Sequence, residues 1–175
     1  MAGSLIKIAE TEITSSTASV TLTGIDSTYD VYMVKFFKVL GTSGNNNLEA
    51  RVTESGTANS TSNYDFAHKK LDATGSFSNQ STTNNAEFQL NIQVGNDTSD
   101  GEQNNGILYI FNANNSSEYT FITTETVFLN PFSGGLNGSQ GGGAFTSAST
   151  VDGINIFFST GNIDSGTFTL YGLKK

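Results

Sequence analysis

Residues Asp30–Leu40 read DVYMVKFFKVL and form the most apolar stretch of the chain. The segment is short for a helix and rich in β-branched and aromatic side chains, so it predicts a strand. Alternate residues of a strand face opposite sides of the sheet. Both sides of this strand are largely apolar: Tyr32 and Phe36 lie on one side, and Met33 and Phe37 lie on the other. We therefore expect a central strand that is covered on two faces.

Alternation of apolar and polar side chains recurs on both sides of this stretch. The clearest case is Glu87–Val94 (EFQLNIQV), which predicts a half-buried strand. Similar runs between Gly, Asn, Ser and Thr clusters predict further strands at Leu5–Ile8, Val20–Leu22, Leu48–Glu54, Ile107–Phe111, Tyr119–Leu129, Ile154–Phe158 and Phe168–Leu173. About nine or ten short strands at this spacing predict an all-β fold, an antiparallel, jelly-roll-like β-sandwich that forms a single domain over residues 1–175.

Three segments interrupt the strand pattern. Tyr64–Leu71 (YDFAHKKL) places Tyr64, His68 and Leu71 at helical spacing, so it predicts a short helix, and we expect at most one helix in the fold. Thr74–Asn85 and Asn130–Gly143 are rich in Gly, Ser, Thr and Asn and predict two long polar loops. Loops of this length are usually functional, partner-facing or mobile.

Composition supports the all-β interpretation and excludes several classes of function. The chain contains 23 Thr, 21 Ser, 19 Asn and 19 Gly, residues that disfavour helix interiors. Its net charge of -8 provides no basic surface for nucleic acid. The absence of cysteine excludes disulfides, zinc–thiolate sites and cysteine nucleophiles. No apolar run approaches the ~20 residues of a membrane-spanning helix, and Met1–Glu10 does not resemble a signal peptide.

The chain has one histidine, His68, which any mechanism based on histidine would have to use. No Gly-x-Ser-x-Gly segment accompanies it, so we expect an ordinary, partly exposed side chain. The triplet Gly141–Gly143 lacks the Lys-Ser/Thr pair of a phosphate-binding loop. It predicts either a flexible tip or a close approach to a neighbouring chain.

Asn96–Glu102 (NDTSDGE) carries oxygen-bearing side chains at alternate positions, with Gly101 sixth, as at the start of a calcium-binding loop. Ile107 stands where such a loop places its bidentate glutamate. The alternative is a hairpin turn rich in Asn and Asp, and the sequence favours it.

Acidic side chains that are close in sequence could in principle hydrolyse a glycosidic bond. The pairs are Glu10 with Glu12, Asp26 with Asp30, and Glu118 with Glu125. All lie among polar residues, and nothing in the sequence would raise the pKa of one partner, so we expect no catalytic site.

Aromatic side chains near loops can stack on sugar rings while neighbouring amides donate hydrogen bonds. Four tyrosines are candidates for such a site: Tyr29, Tyr64, Tyr109 and Tyr119. Aromatic residues on strands are more often part of the core. We expect no catalytic, metal-binding or cofactor-binding residue in this chain.

Two segments, about 26 of the 175 residues, resemble a group of virion structural proteins of tailed bacteriophages, particularly marine ones. They are Ala18–Tyr32 (ASVTLTGIDSTYDVY) and Asp164–Lys174 (DSGTFTLYGLK). In that group a Gly-Ile/Leu step, a short turn and a tyrosine follow an early strand, and the chain closes on a Gly-Thr/Ser-Phe-x-Leu-Tyr-Gly strand. The resemblance implies a sandwich or jelly-roll domain of a capsid decoration, head fibre or tail fibre, without catalytic residues.

From this resemblance we expect a capsid decoration (cement) protein rather than an enzyme. It would be made in the host cytoplasm and would act on the virion exterior, where it binds the major capsid protein or other virion proteins, and a homotrimer is the simplest assembly. Ser133–Gly143 and Ala2–Ile8 are the expected contact surfaces, and residues 1–9 could form an extended arm. The alternative is a tail-fibre or tail-spike module that binds host glycan. Neither function requires nucleic acid or a membrane.

Overall fold

The computed structural model describes residues 4–97, 101–130 and 135–174. All regular secondary structure in these ranges is β-structure. The strands are β1 (Ser4–Ile13), β2 (Ser19–Thr23), β3 (Val31–Gly41), β4 (Leu48–Glu54), β5 (Thr57–Ala58), β6 (Tyr64–Asp72), β7 (Phe77–Asn85), β8 (Phe88–Gln89), β9 (Asn104–Phe111), β10 (Thr120–Asn130), β11 (Gly135–Phe145), β12 (Gly153–Phe158) and β13 (Ile163–Lys174). The described residues contain no helix long and apolar enough to cross a membrane.

The strands form two antiparallel sheets, and the predicted all-β sandwich is confirmed. The large sheet has eight strands in the order β1-β13-β3-β9-β10-β11-β6-β7. The small sheet has the order β2-β12-β4-β5, with β8 paired to β4. One apolar core, to which strands of both sheets contribute, includes Val34 and Phe168 from the large sheet and Val52 and Ile154 from the small one.

The strand pairing has the nested pattern of a jelly roll. β1 pairs with β13, β2 with β12, β3 with β9, and β4 with β8, as in one long hairpin that is rolled over on itself. The two ends of the described chain therefore meet at one edge of the large sheet. Eight strands in two sheets connected in this way make up the jelly-roll architecture.

Two excursions from the jelly roll widen the large sheet. β5, β6 and β7 lie between β4 and β8 in the chain, and β10 and β11 lie between β9 and β12. The segments predicted as long loops lie largely within these strands. Residues 77–85 form β7, and residues 135–145 form β11, so both loop predictions are wrong over those residues.

The predicted helix over Tyr64–Leu71 is also wrong, because these residues form β6. The helical spacing of Tyr64, His68 and Leu71 is coincidental, since the side chains that are buried in β6 alternate with period two. Tyr64, His68 and Lys70 are buried, and Ala67, Lys69 and Leu71 are exposed. The pairing of β6 between β11 and β7 decides the conformation.

β3 is central, as the sequence predicts, between β13 and β9. Its core side is fully covered, with Tyr32, Val34 and Phe36 buried. The opposite side is only partly covered: Met33 is buried, but Lys35 is exposed. The expected burial of both faces is therefore confirmed for part of the strand only.

The predicted strand Glu87–Val94 is regular only at Phe88–Gln89, with one further bridge from Val94 to Asn46. Asn91 explains the interruption. Its side-chain carbonyl accepts the backbone N–H of Leu48 at 2.9 Å, so a side chain replaces the backbone acceptor that a strand partner would supply. Phe88, Leu90 and Val94 are nevertheless buried, as the alternation predicts.

The segments Ala18–Tyr32 and Asp164–Lys174 pack against each other. Tyr32 pairs with Gly172 across β3 and β13, and a side chain at Gly172 would overlap the ring of Tyr29. The Tyr32 hydroxyl donates a hydrogen bond to the Asp26 carbonyl at 2.7 Å and accepts the Asp26 N–H at 2.9 Å. These contacts therefore stabilise the β2–β3 turn and the closing strand.

Candidate functional site

The outer face of the large sheet, which points away from the small sheet, carries exposed apolar side chains around Gly138. Val127, Gly138, Leu71 and Phe77 lie opposite one another on β10, β11, β6 and β7. Leu136 lies two residues before Gly138 on the same side of β11. These four apolar side chains, the apolar patch, are 47% (Val127), 41% (Leu71), 63% (Phe77) and 53% (Leu136) exposed. Three of them, Leu71, Val127 and Leu136, line a shallow hollow of about 380 Å³.

Directly behind the apolar patch, the inner face of these strands carries polar side chains. Thr126, Ser139 and Lys70 lie opposite one another on β10, β11 and β6, and all three are buried. The hydroxyls of Thr126 and Ser139 make no hydrogen bond to a described residue, and the Lys70 ammonium lies 4.0 Å from the Asp72 carboxylate. The polarity of this part of the sheet is therefore the reverse of the usual arrangement, with apolar side chains in contact with solvent.

His68 belongs to this polar inner face, so the prediction of a partly exposed histidine is wrong. The side chain is 5% exposed and stacks on Phe66, with 5.8 Å between ring centroids. Burial lowers the pKa of its imidazole, while the backbone of Gln89 beside it opposes that effect. Neither ring nitrogen makes a hydrogen bond of ordinary geometry to a described residue. The arrangement contains no hydroxyl nucleophile bound to the imidazole.

Beside the apolar patch, the outer face has a recess of about 490 Å³ that contains an aromatic ring, a carboxylate and an amide. They belong to Tyr109, Glu125 and Gln140, and the Gln140 amide donates a hydrogen bond to the Glu125 carboxylate at 2.8 Å. The backbone of Gly141 also lines the recess. These groups suit contacts with hydroxyl-rich ligands.

The other candidate tyrosines differ in their surroundings. Tyr64 is part of the core and packs edge-on against Phe88 with 4.8 Å between ring centroids. Tyr29 packs at Gly172, and Tyr119 is 45% exposed just before β10. The recess on the outer face therefore includes only Tyr109 among the four.

The acidic pairs lie in different surroundings, and Asp26 and Asp30 line one recess of about 280 Å³ together with Tyr29. Glu10 forms an ion pair with Lys7 at 3.3 Å, and Asp26 accepts the Thr28 N–H inside a turn. Glu118 precedes β10 and accepts a hydrogen bond from the Asn112 amide, whereas Glu125 lies in the middle of β10. Seven residues of extended chain separate their backbones by about 20 Å, so they cannot flank one bond.

Part of the possible calcium loop, residues 98–100, lies outside the described residues. Within the described part, the Glu102 carboxylate accepts the Asp97 N–H at 2.7 Å and packs directly on Gly95. No group of three or more His, Asp or Glu side chains that could hold a metal is found among the described residues. The contacts of Glu102 agree with the turn that the sequence favours.

The expected contact surfaces are only partly described. Residues 1–3 and 131–134 lie outside the described ranges. From Ser4 onward the N-terminal segment is the edge strand β1, paired along its length with β13, and Leu5 is 50% exposed. From residue 135 the Gly-rich segment is β11, an interior strand between β10 and β6.

The pKa of the Glu49 carboxyl on β4 is raised from 4.5 to about 7. Burial is the main cause, and repulsion from Glu87 adds to it, while Arg51 opposes both. Arg51 is itself committed to Glu87, with 2.9 Å between guanidinium and carboxylate. The folded state therefore binds a proton at Glu49 more tightly than the unfolded chain does, and ionisation of Glu49 destabilises the fold.

We expect Glu49→Gln to stabilise the protein above pH 7 and to change little at pH 4.5. Between the ordinary pKa of 4.5 and the raised value of about 7, folded Glu49 holds a proton that the unfolded chain releases, so its contribution is present at low pH and is lost as pH rises through 7. Because the group is partly exposed, we expect about 1–2 kcal/mol. Urea denaturation from pH 4.5 to 8.5 measures the effect.

Glu12→Gln, at an exposed carboxylate of β1, is the matched control. The lowered pKa of His68 changes stability with pH in the opposite direction, because the unfolded chain takes up a proton at His68 more readily as pH falls below about 6.5. The resulting loss of stability at low pH is common to all variants. Equal pH profiles for Glu49→Gln and wild type would contradict the prediction.

No protein-family model, curated protein or solved structure matches this chain. Sequence reasoning missed the apolar patch because it assigned two of the four strands that carry it to loops and a third to a helix. One signal was available: the β10 sequence TFITTETVFLN places Thr124 and Thr126 on the same side as Ile122. If Ile122 faces the core, Thr124 and Thr126 must be buried with it, and apolar residues on the opposite side of β10, such as Val127, must be exposed to solvent.

Proposed function

We propose that this chain is a structural protein of a tailed-phage virion, and specifically a capsid decoration protein that stabilises the shell through protein–protein contacts. One observation carries the proposal: four apolar side chains from four neighbouring strands form a patch that is exposed to solvent on an acidic protein. Contiguous exposed apolar surface of this kind is typical of interaction sites. The partner would be the major capsid protein or another virion protein, and the place of action the exterior of the particle.

The resemblance of Ala18–Tyr32 and Asp164–Lys174 to phage virion proteins supports the same proposal. These segments meet at Tyr29 and Gly172, where the jelly roll closes, so what they share with that group is the architecture of a β-domain. A jelly roll presents broad, rigid sheet faces, which suit lateral contacts on a shell. Binding energy alone would constitute the mechanism, from contacts on the order of 1,000 Å².

The test is binding to shells of the parent virus that lack this protein. Shells are mixed with increasing protein, sedimented and analysed by gel for the bound ratio. We expect saturation at a fixed number of copies per capsomer and greater heat resistance of the decorated shell. The variant Val127→Ser/Leu136→Ser should weaken binding by about tenfold or more, because it removes apolar contact area from the patch.

Tyr119→Ser is the matched control, since it removes an exposed apolar side chain at the opposite end of β10. Leu5→Ser tests the N-terminal contact expected from the sequence. Saturable binding that Val127→Ser/Leu136→Ser leaves unchanged would remove the patch from the proposal. Absence of binding to shells would overturn it altogether.

The recess at Tyr109, Glu125 and Gln140 favours one alternative, a glycan-binding module of a tail fibre or spike. Its ring can stack on a sugar, and its carboxylate and amide can bind hydroxyls. The same experiment is repeated with host surface polysaccharide in place of shells. The alternative would be established if the protein binds the polysaccharide but not the shells, and if Tyr109→Ala abolishes the binding.

A further inference from the structure

The two edges of the large sheet differ in how well they are protected from pairing with another strand. An edge strand exposes unpaired backbone N–H and C=O groups, and proteins usually block such edges with charges, prolines or bulges. β1, at one edge, carries Lys7, Glu10 and Glu12 and has a register shift between Lys7 and Ala9. β7, at the other edge, carries none of these over Phe77–Thr82 (FSNQST).

Phe77–Thr82 is a regular strand with an open side. Its six residues pair with Leu71 to Phe66 of β6 in unbroken register, and irregularity begins only after Thr82. The first five side chains are exposed and Thr82 is half-buried. The stretch contains no charged residue, proline or glycine. It can therefore accept a further antiparallel strand along about 20 Å.

We propose that β7 pairs with β7 of a second copy of this chain, so that the two large sheets join edge to edge in a two-fold symmetric dimer. The charge distribution favours a second copy at this edge. A chain of net charge -8 repels itself over most of its surface, but an uncharged strand can face its own copy without like charges opposite each other.

The dimer also covers part of the apolar patch. Phe77 lies on the outer face next to Leu71, and it is the most exposed large apolar side chain of the described residues. A strand added beside β7 would pack against its ring. The five residues of each strand that can pair within this stretch supply about four to six hydrogen bonds, at the lower end of the range of about 5 to 15 found in specific interfaces.

Sheet continuity restricts the register of the pair. Side chains that stand opposite each other in an antiparallel sheet point to the same face, so only residues of the same parity can be opposite. The two-fold axis must therefore pass through a residue, which then faces its own counterpart. Overlap within Phe77–Thr82 is greatest when that residue is Asn79 or Gln80.

The proposed assembly is therefore a two-fold dimer, whereas the sequence led us to expect a trimer. A trimer requires contact between two different surfaces of the chain, whereas β7 pairing uses one self-complementary surface. The inference rests on the edge strand alone and does not depend on a virion function. Failure of shell binding would leave it intact, and a monomeric chain would leave the shell-binding proposal intact.

A cysteine scan tests the register directly, because the chain contains no cysteine. Ser78, Asn79, Gln80, Ser81 and Thr82 are each replaced by cysteine, and the purified variants are treated with a short bismaleimide. We expect one position to crosslink rapidly to a dimer and the positions two residues away to react slowly, since their counterparts lie about 13 Å apart. Ser4→Cys on β1 is the control. Equal rates at β7 and β1 would overturn the proposal.

A charge test complements the scan. Asn79→Lys/Gln80→Lys places like charges opposite each other in either favoured register, although it changes the net charge from -8 to -6 and so reduces overall repulsion. We expect the dimer dissociation constant, from sedimentation velocity, to rise at least tenfold. Ser4→Lys/Thr11→Lys on β1 has the same net charge and should leave it unchanged. A wild-type monomer at high micromolar concentration, or equal effects of both variants, would refute the pairing.

Discussion

Gly141→Ala should destabilise the protein by about 2–3 kcal/mol and lower its melting temperature by about 5–10 °C. Gly141 lies in β11 between Thr124 of β10 and His68 of β6. A methyl group at this position would overlap the Ala67 carbonyl oxygen and the Cα and Cβ atoms of His68. The strands would have to separate or tilt to admit it. The atoms in the way are mainly backbone, which cannot move aside as a flexible side chain could.

Gly138→Ala in the same strand is the matched control. A methyl group there would lie 3.1 Å from the Thr126 carbonyl oxygen and no closer than 3.8 Å to Leu71, so small shifts suffice. Both substitutions restrict the unfolded chain equally, which isolates the steric effect. Urea denaturation followed by circular dichroism measures the difference. Equal stability of the two variants would show that the Gly triplet is not required for close strand packing.

Phe88→Ala should have the largest effect of any substitution considered, about 3–5 kcal/mol. Phe88 belongs to β8 in the small sheet, but its ring packs edge-on against Tyr64 of the large sheet and beside Gly143. The side chain is fully buried. Its removal would leave a cavity where the two excursions of the chain meet the jelly roll, and the edges of β6 and β11 cannot collapse into it without breaking pairing.

Phe121→Ala provides the comparison, since the same side chain is removed from the outer face, where it is 46% exposed. We expect about 1 kcal/mol or less for this variant. The test is the difference in the urea midpoint at constant slope. Similar losses for Phe88→Ala and Phe121→Ala would mean that the inserted strands do not depend on the contact between Phe88 and Tyr64.

Most of the jelly roll could be predicted from local patterns because its strands follow the ordinary rule of apolar residues inside. β3, β4, β9 and β13 were found from alternation or from apolar runs. The errors fall mainly in β6, β7 and β11, the strands that widen the large sheet. In β6 and β11 the buried side chains include His68, Lys70 and Ser139, so a search for apolar alternation finds nothing. β7 has no buried side chain at all to reveal its period.

The candidate site was missed for the same reason. Leu71, Phe77, Val127 and Leu136 are far apart in sequence and become neighbours only through the register of four strands. Each is an unremarkable apolar residue when considered alone. The glycines of β11 misled the prediction further, because glycine suggests a mobile loop, whereas here it permits close approach between strands.

The sequence alone determined the class of this protein: its Thr, Ser, Asn and Gly content argues against helices, and its alternating apolar residues predict the all-β sandwich that the structure has. Tertiary structure alone decided which polar strands join the large sheet and which of its faces meets solvent. The physical reason is that a strand pairs with partners that are distant in the chain. Thr126, Ser139 and Lys70 are buried because the register of β10, β11 and β6 places them on the inner face, although their side chains are polar.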